Sequence, residues 1–264
     1  MQLRYQIHPG QGPHLLLVHG FLTGPSQWLC NLPALSEHCT PVTVSLWGHA
    51  GAPSPAELQA YDPDHYVAAF DAIRAALQAE RWFLLGYSLG AGLTIRYSLR
   101  HPHRVIGHAF TNSTSALADA EQQQRWRADA DQAADKILQG GLAAMERIPV
   151  HPRHAIKLPG SIYQALCADA ARHDPVGIAN TLRRTNPEAS VRARLGDNER
   201  PALLICGSRE RRFQPHRSHA IARMPYLRVI DLDAGHGMNM EAPAAFDAAM
   251  IDFLRQCKDA DIGA

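Results

Sequence analysis

Short, nearly uninterrupted apolar runs alternate along this chain with longer stretches in which apolar residues recur at helical spacing. The runs are HLLLV (14–18), PVTVSL (41–46), WFLLG (82–86), RVIGHAF (104–110), PALLIC (201–206) and LRVIDL (227–232). They read as strands, because a strand covered on both faces of a parallel sheet has no wet side to carry polar residues. Between them, DPDHYVAAFDAIRAALQAE (62–80) has the helical repeat, with Asp62 or Asp64 as N-cap and Pro63 in the first turn. Similar patterns fill 88–100, 215–223 and 243–257. Strands alternating with helices predict an α/β domain built on a mostly parallel sheet.

Residues 114–198 interrupt that rhythm. They hold no strand pattern, are rich in Ala, Arg, Asp and Gln, and are punctuated by IPVHP, KLPG and TNPE. The segment reads as a helical cap inserted into a core made of residues 1–113 and 199–264. One compact body with a cap is expected, not two independent domains.

Composition adds mainly exclusions. The 264 residues, 46% apolar and 19% charged, suffice for a sizeable core. A net charge of +1 gives no electrostatic footprint for nucleic acid or an anionic membrane. The start, MQLRYQIHPG, lacks the apolar core of a signal peptide, and no apolar run approaches a membrane span. Cys30, Cys39, Cys167, Cys206 and Cys257 are scattered, odd in number and without a CxxC, as buried reduced thiols of a cytoplasmic protein would be. Fifteen histidines include no HExxH and no His/Cys pair at zinc spacing, so no metal site is expected.

The candidate chemistry begins where WFLLG runs into GYSLG (86–90) and then a helical pattern. A G-x-S-x-G at a strand-to-helix junction projects its serine from a sharp turn at the carboxyl end of the sheet. Gly86 and Gly90 flank that turn because side chains there would strike the neighbouring strand and helix. Ser88 is therefore the candidate nucleophile, and it needs a base. His236, in AGHGMNMEAP after the last strand, is the candidate; His101, His103, His216 and His219 lie in helix or helix-end patterns and read as ordinary exposed residues.

Attack on a carbonyl also needs donors for the developing oxyanion. HGF (19–21) follows HLLLV, which nominates the backbone N–H of Phe21, with that of Leu89 beside the serine as its partner. His19 reads as a brace for the loop. Glu210, in GSRERRF after PALLIC, is the candidate acid, since a parallel sheet brings that strand end beside the histidine loop. Asp231 and Asp233 compete, but both lie on the histidine's own strand or loop. A surface ion cluster with Arg209, Arg211 and Arg212 stays open as the alternative.

HGF, GYSLG, PALLICGxxE (201–210) and GH followed by ExP (235–243) stand together in an order that resembles the α/β-hydrolase superfamily over nearly the whole chain. The resemblance implies a mainly parallel eight-stranded sheet with helices on both faces, a Ser–acid–His triad in that order, and a cap after the sixth strand. It implies no metal and no organic cofactor. Two positions depart from the family pattern: Ser45 replaces the acid of D-x-x-G-x-G in SLWGHAG, and Glu210 stands where most relatives carry aspartate. GYSLG, GSRERRF and an arginine-bearing cap are also similar to the pyruvate-eliminating synthases of menaquinone biosynthesis. Those carry an arginine four residues after the serine, where this chain has Gly92.

The activity expected is cleavage of a small ester or lactone. Carbon–carbon hydrolysis or elimination is the second reading, and a non-catalytic binding protein the third. Trp47, Tyr87, Arg125, Trp126 and Tyr163 are the candidate substrate contacts, with packing or a solvated helix face as the alternative for those in the cap. Oligomeric state is not legible.

Overall fold

The computed structural model describes residues 2–262. Its sheet has seven strands: β1 (Arg4–Ile7), β2 (His14–Val18), β3 (Thr40–Ser45), β4 (Trp82–Gly86), β5 (Val105–Thr111), β6 (Ala202–Gly207) and β7 (Leu227–Leu232). They lie in the order β1-β3-β2-β4-β5-β6-β7, with β1 antiparallel to β3 and every other pair parallel. Six of these coincide, within a residue at either end, with the apolar runs. β1 has no such signal, because RYQI is a mostly exposed edge strand with a partner on one side only. Seven strands rather than eight is a correction. The residues ahead of β2 form one strand and then a turn, HPGQGP, which has no strand-forming run.

Successive residues of β2 explain the unbroken hydrophobicity. Leu15 and Leu17 pack with Trp28, Phe83, Leu85 and Phe253, whereas Leu16 and Val18 pack with Val42, Tyr66, Phe70 and Leu84. Both faces of the sheet are thus core. Helices Leu32–Ser36 and Pro243–Ile262 cover the first face; Pro63–Ala76 and Leu89–Arg100 cover the second, joined by Gln214–Arg223 beyond β5. Asp62 sits at the N-cap of Pro63–Ala76, but its carboxylate binds the Arg184 guanidinium instead of the helix amides.

Between β5 and β6, residues 114–198 contain no strand. Helix Ala120–Met145 opens with Asp119 accepting from the Gln122 N–H at 2.8 Å, and it buries only Ala130, Ala134, Ile137 and Met145. That narrow stripe suits a helix lying on a small core, and the remaining polar positions face water. The helix breaks at Gly141 (φ 54°, ψ −140°), a conformation that side chains oppose. Ala134, Ile137 and Met145 close on Ile178, Ala179 and Leu22, and Leu22 belongs to the loop after β2. The inserted segment is therefore packed directly against the HGF loop.

Among the described residues the five cysteines form no disulfide; Cys39, Cys206 and Cys257 are buried, but Cys30 and Cys167 are only half-buried. Among the described residues, no helix is long and apolar enough to cross a membrane.

Candidate active site

Strand β4 ends at Gly86, and Ser88 follows in the left-handed region at φ 51° and ψ −116°. Tight packing holds it there. A Cβ on Gly86 would lie 2.6 Å from Ala91 Cα, and one on Gly90 would lie 2.7 Å from the His19 carbonyl oxygen. The Ser88 N–H donates to Thr111 Oγ1 at the end of β5, 3.1 Å away.

Ser88 Oγ lies 3.0 Å from His236 Nε2, and His236 Nδ1 lies 2.9 Å from Glu210 Oε2. With an ionised carboxylate, the consistent pattern has Nδ1–H donating to Glu210 and Nε2 accepting from the serine hydroxyl. Glu210 Oε2 also accepts from Asn112 Nδ2 at 2.7 Å. Burial opposes the charge on Glu210. The hydrogen bond and electrostatic attraction of the His236 imidazole, the Asn112 donor and Arg212 outweigh it, so the carboxyl titrates below its ordinary range.

Asn112 has a second task. Its amide exchanges hydrogen bonds with the Gly207 backbone, donating to the carbonyl at 3.1 Å and accepting from the N–H at 3.2 Å. It thus extends the β5–β6 pairing by one position and presents Nδ2 to the carboxylate. Sequence reading missed it. The available signal was an amide side chain directly after a strand that neighbours the strand of the acid.

The two competing aspartates are engaged elsewhere. Asp231 pairs with Arg217, its oxygens 2.9 and 2.5 Å from the guanidinium. Asp233 is exposed, 3.7 Å from Arg209. Of the three neighbouring arginines, Arg209 bonds Glu241 at 3.0 Å and not Glu210.

The loop after β2 closes against the serine. Gly20 is tightly placed: a Cβ on it would stand 3.1 Å from Ser88 Cβ and 2.8 Å from the Tyr87 ring. Phe21 is the next residue along this loop. Leu89 opens helix Leu89–Arg100, so its N–H belongs to the first turn, which has no acceptor within the helix. His19 is fully buried; Nδ1–H donates to the Gly20 carbonyl at 2.7 Å and Nε2 accepts from Leu46 N–H at 3.1 Å. Burial pulls its pKa down to about 4, which keeps the imidazole neutral and the brace intact.

A cavity of about 1030 Å³ reaches this site, with Tyr87 and His236 in its wall. Most of the remaining wall comes from residues 149–159 and Leu166 of the inserted segment, including Val150, Ile156 and Leu158, and from Met240. Of the expected substrate contacts, only Tyr87 lines it, and its hydroxyl is already used, donating to the His236 carbonyl at 2.8 Å. The other four do not line it. Trp47 is buried in the core beside Tyr66, with ring centroids 6.5 Å apart. Arg125 pairs with Glu121 one turn back, on an exposed helix face. Trp126 is half-buried on the same helix, and neither lines the cavity. Helix Gly160–Ala170 turns Leu166, not Tyr163, toward the cavity.

A family profile for the α/β hydrolase fold matches residues 13–243. Among curated proteins, the chain is similar to one from Bacillus subtilis (strain 168) assigned as a 2-succinyl-6-hydroxy-2,4-cyclohexadiene-1-carboxylate synthase. The two are 26% identical over 254 residues, covering 93% of this chain and 92% of that protein. Among solved structures, a hydrolase from Pseudomonas aeruginosa PA01 superposes with a TM-score of 0.78 at 25% identity, over 96% of this chain and 94% of the other. The enol-lactonase of Burkholderia xenovorans LB400 has the same fold, with a TM-score of 0.73 at 23% identity over 96% and 95%.

Proposed function

The chain belongs to the α/β-hydrolase family, and from that premise we propose a serine hydrolase of small carboxylic esters or lactones. The single observation that carries this reading is the unbroken hydrogen-bond chain from Ser88 Oγ through His236 to Glu210, at 3.0 and 2.9 Å, in the wall of a largely apolar cavity. Ser88 attacks the carbonyl as its proton passes to His236 Nε2. Glu210 holds the Nδ1–H tautomer and stabilises the imidazolium that forms. The amides of Phe21 and Leu89 receive the oxyanion. His236 then protonates the leaving alcohol, and a water activated by the same nitrogen releases the acyl group from Ser88. In a lactone, the alcohol and acyl group are one molecule. The sequence of steps calls for no cofactor.

Of the arginines in the cap, Arg125 and Arg127 are tied to Glu121 and Glu188 and do not line the cavity; the basic residues in its wall are Lys157 and Arg209, the latter paired with Glu241. At Gly92, a Cβ would lie 2.6 Å from the Ala189 carbonyl oxygen, so an arginine cannot occupy that position without moving the backbone. The arginine missing at that position disfavours the pyruvate elimination of the menaquinone-pathway synthases that the sequence resembles. Residues 114–198 act in this reading as the cap that selects the acyl or alcohol group.

The test is a panel of p-nitrophenyl esters, aryl lactones and a vinylogous 1,5-diketone, run beside fluorophosphonate labelling. Ester or lactone turnover, with label on Ser88, is expected. Turnover of the diketone alone would move the assignment to carbon–carbon hydrolysis, and absence of label would point to a binding protein.

A further inference from the structure

The ExP element after the histidine has no part in the mechanism above, yet Glu241 straddles His236. Its Oε2 accepts from the Gly235 N–H at 2.8 Å and its Oε1 from the Gly237 N–H at 3.1 Å. These are the two amides flanking the histidine. The same Oε2 accepts from Arg209 at 3.0 Å, and Arg209 immediately precedes Glu210. The acid loop and the base loop are already zipped by backbone bonds, Ser208 N–H to the Leu232 carbonyl at 2.9 Å and Arg209 N–H to the Ala234 carbonyl at 3.0 Å. Gly207 and Gly235 pack so closely that a Cβ on Gly207 would overlap the Gly235 carbonyl oxygen.

We propose that Glu241 is the positioning residue of His236, fixing the loop from above while the Tyr87 hydroxyl fixes the His236 carbonyl from below. The chemistry favours a carboxylate in this role. Two amide donors and a guanidinium converge on one side chain, and only a carboxylate offers two acceptor oxygens and no donor to them. A glutamine would turn an NH₂ toward one of the amides, and an alanine would leave all three donors without their partner. An imidazole anchored only through Nδ1 could pivot about that bond, and the Nε2 to Oγ distance would no longer be fixed. Displacements of about 1 Å in a reacting group can cost on the order of 10² in rate.

The proposal rests on the triad reading and is separable from it. Glu241→Ala and Glu241→Gln are compared with wild type for p-nitrophenyl ester kinetics and for the downfield proton NMR signal of His236 Nδ1–H bonded to Glu210. Glu241→Ala should lower kcat on the order of 10², leave KM within about twofold, and lose the downfield signal to exchange with water. Glu241→Gln should fall between alanine and wild type in both. If Glu241→Ala does not fold, Glu241→Gln decides alone, because it preserves size and one acceptor. Wild-type kcat together with an unchanged signal in the folded variants would overturn the proposal. Loss of the signal on substitution, in a protein that turns over no ester, would sink the hydrolase reading while leaving this one standing.

Discussion

The carboxyl ends of β4, β6 and β7 and the inserted segment above them bound the same cavity, yet they are built by opposite means. At the strand ends, every functional group has several fixed contacts. His236 is held at its ring by Glu210, at its carbonyl by Tyr87 and at both flanking amides by Glu241. The wall at 149–159 is held more loosely: His151 and Pro152 are buried and His154 Nε2 meets the Glu146 carbonyl at 2.9 Å, but Val150 is 47% and Ile156 is 74% exposed, and Arg153 makes a surface ion pair with Glu146. Exposed pairs of that kind stabilise weakly. The contrast separates two requirements. Bond-making geometry must be held to fractions of an ångström, whereas an apolar wall needs only shape and can be assembled from loosely held residues.

The hardest blow to the strand-end half of that contrast is Ser88→Ala. It should reduce kcat on the order of 10⁶, as loss of a triad serine does, with no change in Tm, because the side chain projects from a turn fixed by its neighbours. Residual activity above a tenth of wild type would mean the nucleophile lies elsewhere.

Glu210→Gln comes next. It keeps the Asn112 contact but replaces the ionised acceptor of Nδ1–H, and kcat should fall roughly 10³–10⁴-fold. Asp233→Asn is the control, since the Asp233 side chain is 88% exposed and stands 3.7 Å from Arg209. If Asp233→Asn did the damage and Glu210→Gln did not, the acid would be Asp233.

The cavity wall should respond differently. Ile156→Trp and Leu158→Trp should change the ratio of kcat/KM between short and long acyl esters by roughly 10–200-fold, the scale of a methylene or two in an apolar pocket. Stability should hardly move, because Ile156 is 74% exposed and Leu158 only partly covered. Equal effects on all acyl lengths would show that the segment does not select substrate.

What the sequence revealed divides along the same line. HLLLV, WFLLG and PALLIC overlie β2, β4 and β6 because burial on both faces writes itself as unbroken hydrophobicity. The meeting of Ser88, His236 and Glu210 was legible because each stands just beyond an apolar run, and because glycines must flank any backbone as crowded as that at residues 86–90. β1 was not legible: its residues are exposed and its pairing is backbone only. Nor were the side chains that line the cavity. Trp126 and Tyr163 stand out in the cap as aromatic residues, but the side chains that reach a cavity depend on how a helix is rotated about its axis. Helix Gly160–Ala170 presents Leu166 by a rotation that its own sequence does not determine. Asn112 and Glu241 act through contacts with distant backbone, which spacing alone cannot disclose.

The smallest expected effect tests how far the well-held half extends behind the histidine. Gln27, in the cavity wall, donates to Asn239 Oδ1 at 3.0 Å; Asn239 donates to Asn31 Oδ1 at 3.0 Å; and Asn31 donates to Asp247 Oδ1 at 2.8 Å. Asp247 is nearly buried on helix Pro243–Ile262, and burial raises its pKa to about 6 against the opposing pull of the Asn31 bond. A carboxyl whose folded pKa is raised binds its proton more tightly in the native state than in the unfolded one. Its contribution is therefore most favourable below the ordinary aspartate range and is lost as pH rises through about 6. The loss amounts to at most about 3 kcal/mol, or several degrees in Tm for a chain of this size. Asp247→Asn keeps an acceptor for Asn31 and removes the titration. It should raise Tm at pH 8, leave it nearly unchanged at pH 4, and alter kcat by less than about twofold. A variant less stable than wild type at pH 8 would mean that the ionised carboxylate is itself a favourable part of the network, and that the polar chain from Gln27 to Asp247 is held by charge rather than by neutral hydrogen bonds.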